Sequence, residues 1–209
     1  RMKAALTALG VDASRLDIVI MQMVRLVRGE ETIKLSKRSG KAITLSTLLE
    51  EVPIDAARFF FNLREPNSHF DFDLDLAAEK SSENPVYYVQ YAHARICSIL
   101  KKAKEQGIDV ENATSEQLAL LVAPEEKELI RHLSMLTDEY ISAAVAYDPA
   151  KITRYVIDLA TLFHKFYNAN RVIDENETLM RARLTLCKAV KQVIKNVLET
   201  LKISVPESM

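Results

Sequence analysis

Apolar and polar positions change rhythm along this chain, and each rhythm predicts a different kind of element. Residues 2–9 are spaced as a helix that stops at Gly10, a residue suited to the left-handed turn that closes one. Residues 16–35 alternate imperfectly. Ile18, Val19, Ile20, Met21 and the run 24–27 frame Arg28-Gly29-Glu30-Glu31, which predicts two strands joined by a turn. From about Thr44 the period is helical, and a Phe-rich run over 56–63, introduced by Asp55, ends before Glu65-Pro66-Asn67-Ser68. Phe70-Asp71-Phe72-Asp73-Leu74-Asp75-Leu76 alternates residue by residue, as a strand does, before residues 77–80 turn helical.

Caps and prolines punctuate the remainder. Asn84 can cap a helix whose first turn accepts Pro85, predicting a long helix to about Glu105 that ends at Gly107. The next helix starts near Pro124-Glu125-Glu126, with acids where the macrodipole favours them. Asp148-Pro149 repeats the cap-and-proline signal for a helix to about Asn170, and a last helix covers about 177–201. Four long helices make a bundle the natural architecture for residues 84–201. The predicted fold is therefore mainly α: a helical bundle preceded by a short α/β segment, with the boundary between about 42 and 54.

Nearly half of the 209 residues are apolar, enough for a substantial core. The formal net charge of -1 argues against a molecule that binds nucleic acid by overall charge. That average hides a basic end, since residues 1–41 hold nine Lys and Arg against four acids. Cys97 and Cys187 have no CxxC pairing, so no metal site is expected, and isolated thiols suit a reducing compartment. No apolar run nears the roughly 18 residues that span a bilayer. A cytoplasmic protein, expected to be monomeric, follows from this reading. The chain opens at Arg1 rather than Met and is expected to be a piece of a longer protein. Strands in 16–35 would then have lost their sheet and would offer a route for association between copies.

The sharpest local signal is Lys34-Leu35-Ser36-Lys37-Arg38-Ser39-Gly40-Lys41, where cations, hydroxyls and a glycine suit a polyphosphate. Composition alone suits an exposed basic loop equally well. Asp71, Asp73 and Asp75 share one face of a strand and read as solvated acids rather than metal ligands. Asp55 and Arg58 read as a helix cap and a structural ion pair. Tyr88, Tyr91 and Arg95 lie on one helical face, which suits either core packing or stacking on unpaired bases. Tyr87 reads as core and His93 as a hydrogen-bonded structural histidine, while His132 and His164 suggest no chemistry. The end of the chain, Val205-Pro206-Glu207-Ser208-Met209, reads by default as a frayed tail.

Lys34-Leu35-Ser36-Lys37-Arg38 resembles the KMSKS signature of class I aminoacyl-tRNA synthetases, with Leu35 for Met and Arg38 for the last Ser. Asp55-Ala56-Ala57-Arg58 follows about twenty residues later and is similar to the Asp-Ala-Leu-Arg signature of one anticodon-binding domain. With 70–76, the block from Asn84 to Ile96, and Phe163-His164-Lys165-Phe166-Tyr167-Asn168, the order of blocks resembles the arginyl-tRNA synthetase family over essentially the whole chain.

The resemblance implies a remnant of the catalytic domain over 1–48 and a helical anticodon-binding domain over 49–209. It implies an enzyme that joins arginine to tRNA(Arg) through an arginyl-adenylate, using ATP with magnesium. Lys37 would stabilise charge developing on pyrophosphate, with Lys34 and Ser36 positioning the loop or the nucleotide. Tyr88, Tyr91 and Arg95 would face the anticodon loop, and Met209 would fold back near it. Lacking most of the nucleotide-binding fold, the fragment would bind tRNA without catalysing. A stand-alone helical RNA-binding module and a helical adaptor for proteins are the alternatives; the related cysteinyl enzyme fits less well, because its zinc ligands are not evident.

Overall fold

The computed structural model describes residues 1–29, 31–33, 44–108 and 111–209, and among these the fold is mainly helical. Helix α1 (Met2–Ala8) closes at Gly10, whose φ of 74° is left-handed. Strands β1 (Val24–Arg28) and β2 (Glu31–Thr32) pair antiparallel around Gly29, where φ is 56°. Among the described residues of 16–35, only these form strands. Ile18, Val19, Ile20 and Met21 lie outside any strand and are exposed, because no second strand lies beside them among the described residues.

The expectation that β1 has lost its sheet is corrected. β1 runs parallel to β3 (Phe70–Asp73), with Val24 opposite Phe70 and Leu26 opposite Phe72. Leu26, Phe70 and Phe72 share the buried face, and Phe72 packs between the rings of Phe60 and Phe61. On the other face Asp71 takes two hydrogen bonds from Arg25, at 2.7 and 2.9 Å. Both partners are about half exposed, so the pair fixes register and contributes no more than about 1 kcal/mol. The alternation over 70–76 also ends sooner than expected. Asp73 accepts from the backbone N–H groups of Asp75 and Leu76 and so caps α4 (Leu74–Ala78), turning the chain helical at Leu74. The acids thus pair and cap rather than merely face solvent.

Helices α2 (Leu45–Glu51) and α3 (Ile54–Phe61) connect this small sheet to the bundle. Asn84 accepts from Val86 N–H at 3.2 Å and donates to the carbonyls of Ala77 and Glu79, fixing the entry to α5 (Pro85–Glu105). A short α6 (Ser115–Leu118) was not foreseen. The helix expected from 124 is two, α7 (Pro124–Ser134) and α8 (Leu136–Ala146), which meet at Met135. Then come α9 (Ala150–Ala169) and α10 (Glu177–Thr200), close to their expected bounds. Val89, Ile96, Leu159, Phe163, Phe166, Val190 and Ile194 from α5, α9 and α10 are fully buried and form the bundle core.

One buried ion pair braces the far side. Glu126 of α7 is 1% exposed and accepts from Arg183 Nε of α10 at 2.7 Å. Arg183 also donates to the Arg171 carbonyl and the Asn170 side chain, holding the loop that follows α9.

Candidate functional site

Tyr88, Tyr91 and Arg95 project from one face of α5, as a spacing of three and four residues requires. The structure brings them against His164 and Tyr167 of α9. The Arg95 guanidinium lies 5.1 Å from the centre of the Tyr91 ring and 4.8 Å from that of Tyr167. Each such contact contributes about 0.5–1 kcal/mol at an exposed site. Arg95 also donates to His164 Nδ1 at 3.3 Å; since a guanidinium can only donate, Nδ1 is the bare nitrogen and Nε2 carries the proton. Burial, reinforced by the charge of Arg95, pushes the His164 pKa down to about 4, so the ring is neutral at pH 7. That ring packs at 5.0 Å on Tyr88 and at 5.9 Å on Tyr91, the latter two planes 29° apart. Tyr88 is half-buried behind His164, whereas Tyr91 is exposed.

The tail is docked rather than frayed. After Lys202 turns the chain with φ of 57°, Ile203 enters the core. Four side chains then grip residues 202–206. Arg58 donates to the Lys202 carbonyl at 2.6 Å. Asp55 accepts from the Ser204 N–H at 3.2 Å and from its hydroxyl. Gln90 donates to Asp55 at 3.2 Å and to the Ser204 carbonyl at 3.0 Å. His93 meets the Pro206 carbonyl at 2.9 Å; a carbonyl only accepts, so Nδ1 carries the proton. Burial lowers the His93 pKa, with the Pro206 contact opposing that shift.

The roles expected for Asp55 and Arg58 are therefore corrected. α3 has Pro53 at its N-cap and no side-chain cap, and both signature residues face the tail instead of each other. The reading of His93 as a hydrogen-bonded structural histidine matches its place. Tyr87 is half-buried and lines a groove against α3 and α4.

The docked tail sets Ser208 and Met209 on the rim of an open cleft of about 340 Å³, walled by Tyr91, Arg95, Ser98, Lys102 and Tyr167. Tyr167, Ile99 and Lys102 also line a neighbouring cleft of about 420 Å³ that reaches Asn170 and Arg171. Flat aromatic faces, a fixed guanidinium and a thioether make a stacking platform for planar, anionic ligands. His164 and Tyr167 were missed in the sequence. Their spacing of three on a helix repeats that of Tyr88 and Tyr91, and that repetition was the available signal. Lys34, Ser36 and Lys37 lie outside the described residues.

Residues 89–209 match the family described as DALR anticodon binding domain. The chain belongs to the DALR anticodon-binding family. It is 53% identical over 208 residues to an arginine–tRNA ligase of Caldanaerobacter subterraneus subsp. tengcongensis, and 54% identical over 209 residues to one of Acetivibrio thermocellus. Each comparison covers 100% of this chain, which spans 37% of the length of those relatives. Among solved structures, the Thermus thermophilus arginyl-tRNA synthetase superposes with a TM-score of 0.78 at 26% identity, over 99% of this chain and 38% of that one. The DALR match takes in Tyr91, Arg95, α9, α10 and the tail, whereas Asp55, Arg58 and Tyr88 precede it.

Proposed function

We propose that this chain is the part of an arginine–tRNA ligase that grips the anticodon stem-loop of tRNA(Arg). The observation that carries the reading is the Arg95 guanidinium held between the Tyr91 and Tyr167 rings, beside Met209, in a DALR domain. A base unstacked from the loop gains a ring face at Tyr91, and a phosphate or base edge gains the remaining donors of Arg95. Tyr88 acts from behind, supporting His164. In the whole ligase, arginine, ATP with Mg2+ and tRNA react through an arginyl-adenylate. Lys37 stabilises the charge on pyrophosphate there, and Lys34 and Ser36 position the ATP-binding loop. The division into 1–48, belonging to the catalytic domain, and 49–209, belonging to the anticodon-binding domain, is part of the same proposal. The 209-residue chain alone binds tRNA and does not catalyse.

Titration of a fluorescent anticodon stem-loop of an arginine tRNA tests this. Tyr91→Ala is expected to weaken binding by about 1–3 kcal/mol, as loss of a base–ring stack does. Arg95→Ala is expected to weaken it too, with a flatter salt dependence if its partner is a phosphate. Both variants must first keep wild-type melting. A Tyr91→Ala protein that is destabilised yet binds with unchanged affinity when folded would make the ring a core element and sink the proposal.

A further inference from the structure

We propose that the buried Glu126–Arg183 pair is a positioning device for the RNA site, holding Asn170 and Arg171 where they complete the cleft beside Tyr167; this rests on the function proposed above. That cleft, of about 420 Å³, shares Ile99, Lys102 and Tyr167 with the one that Met209 lines, and its far wall is the chain from Asn170 to Ile173. The wall belongs to no helix or strand. One guanidinium, 11% exposed, ties it to α10: Arg183 Nη1 donates to the Arg171 carbonyl at 2.9 Å, and Nη2 to the Asn170 side-chain oxygen at 3.3 Å. The guanidinium is fixed in turn. Its Nε donates at 2.7 Å to one oxygen of Glu126, whose other oxygen accepts from the Ala123 N–H at 2.9 Å at the start of α7. Val172 is buried, whereas Arg171 is exposed on the cleft wall.

Stability does not explain the pair. Two charges withdrawn from water recover little more than their own desolvation, and an apolar pair of similar volume often serves a fold as well or better. Geometry does explain it. A planar guanidinium with donors in a fixed fork reaches three acceptors at once, on α7, on the loop backbone and on Asn170, the residue that ends α9. Neither a compact ammonium nor an apolar side chain does so. Asn170 stands three positions after Tyr167, so holding it fixes the loop relative to the ring that packs on Arg95. With the loop held before a ligand arrives, binding is spared the cost of ordering Arg171 and its neighbour. A phosphate or base edge in the cleft then meets a second guanidinium in addition to that of Arg95.

The test measures affinity for the arginine anticodon stem-loop in E126L/R183M, in R171A and in the two combined. E126L/R183M removes one charge of each sign, so a loss of binding cannot come from net charge. Provided that it melts cooperatively, this variant is expected to bind about two- to ten-fold more weakly, the cost of ordering a side chain that wild type holds in advance. In the free protein a peptide covering 170–174 should exchange hydrogen faster, with α5 unchanged. R171A should weaken binding as well, and the combined variant should lose less than the product of the two losses, because both act through the same side chain. If E126L/R183M misfolds, R183K, which keeps the charge without the fork, carries the same expectations. Wild-type affinity in the folded E126L/R183M protein, no effect of R171A, or losses that multiply in the combined variant overturns the assignment while leaving the ring cluster as the RNA site. A wild-type chain that does not bind the stem-loop removes the underlying function and this assignment together.

Discussion

Asp55→Ala tests whether the first signature residue acts on the tail. In the folded chain its carboxylate accepts from the Ser204 N–H, the Ser204 hydroxyl and the Gln90 amide. A hydrogen bond to a charged group contributes about 1.5–3 kcal/mol when buried. Ser204 is exposed, so water recovers part of each loss, and about 2 kcal/mol for the three together is a fair magnitude. At about 1.4 kcal/mol per decade, the ratio of docked to undocked tail falls roughly 25-fold. Burial of Ile203 and the Arg58 and His93 contacts persist, so the tail loosens without leaving. Hydrogen exchange followed by mass spectrometry should show a peptide covering 203–208 exchanging about ten- to thirty-fold faster. Peptides from the middle of α9 and α10 should be unchanged. Asp55→Asn, which keeps an acceptor oxygen, should give a smaller effect. Unchanged exchange in the tail, or equal acceleration throughout α10, would refute the tether.

Three further expectations address other parts of the fold. Because the His164 pKa is near 4 when folded and about 6.5 when unfolded, the unfolded chain takes up a proton between those values that the folded chain refuses; the stability present above pH 6.5 is lost as pH falls toward 4. The fall in melting temperature from pH 7 to pH 5 should therefore be larger for wild type than for His164→Gln, and equal falls would contradict the burial of a neutral ring. Arg183→Met leaves the Glu126 carboxylate buried beside an apolar chain and should cost about 3–5 kcal/mol in urea unfolding, with much of it recovered in the double variant with Glu126→Leu. A double variant no more stable than Arg183→Met would show that the loop contacts of Arg183, not the stranded charge, set the cost. In native hydrogen exchange β1 should be protected by β3 while residues 18–21 exchange fast, and uniform exchange across 18–28 would deny the parallel pairing.

Elements announced by local chemistry were legible in the sequence. Asn84-Pro85 marked the start of α5, and Asp148-Pro149 that of α9, because a capping side chain and a proline act on adjacent backbone. The sheet was harder. That β1 pairs with β3, more than forty residues away, is not encoded in either segment's alternation. The break at Met135 was invisible because apolar periodicity continues across it. For the site, three residues on one helix were found by spacing, but His164 and Tyr167 come from another helix, and only packing sets them opposite Arg95. The tethers failed for the same reason. Asp55 near a helix start reads as a cap, and nothing local reveals that its partner is Ser204, 149 positions along.

Under the proposed function, the ring cluster and the tail would act on affinity in different ways. An unconstrained arginine side chain carries about 2 kcal/mol of rotamer entropy that binding would have to remove. Arg95 loses that freedom during folding, between two rings and against a neutral imidazole that accepts a hydrogen bond from it. A ligand therefore meets donors already aimed, and more of its contact energy survives as affinity. Neutrality of His164 matters here: protonated, it could not accept from Arg95 and would repel it, so the same burial that depresses its pKa also holds the guanidinium in place. The tail adds an edge to the same cleft, but its order depends on α3 and on Gln90 and His93, on the side of α5 that faces the bundle. Asp55 and Arg58 can thus influence a ligand at Tyr91 without touching it. Their influence passes through six residues of chain, and it depends on how firmly that chain is held, not on any charge they present to the ligand.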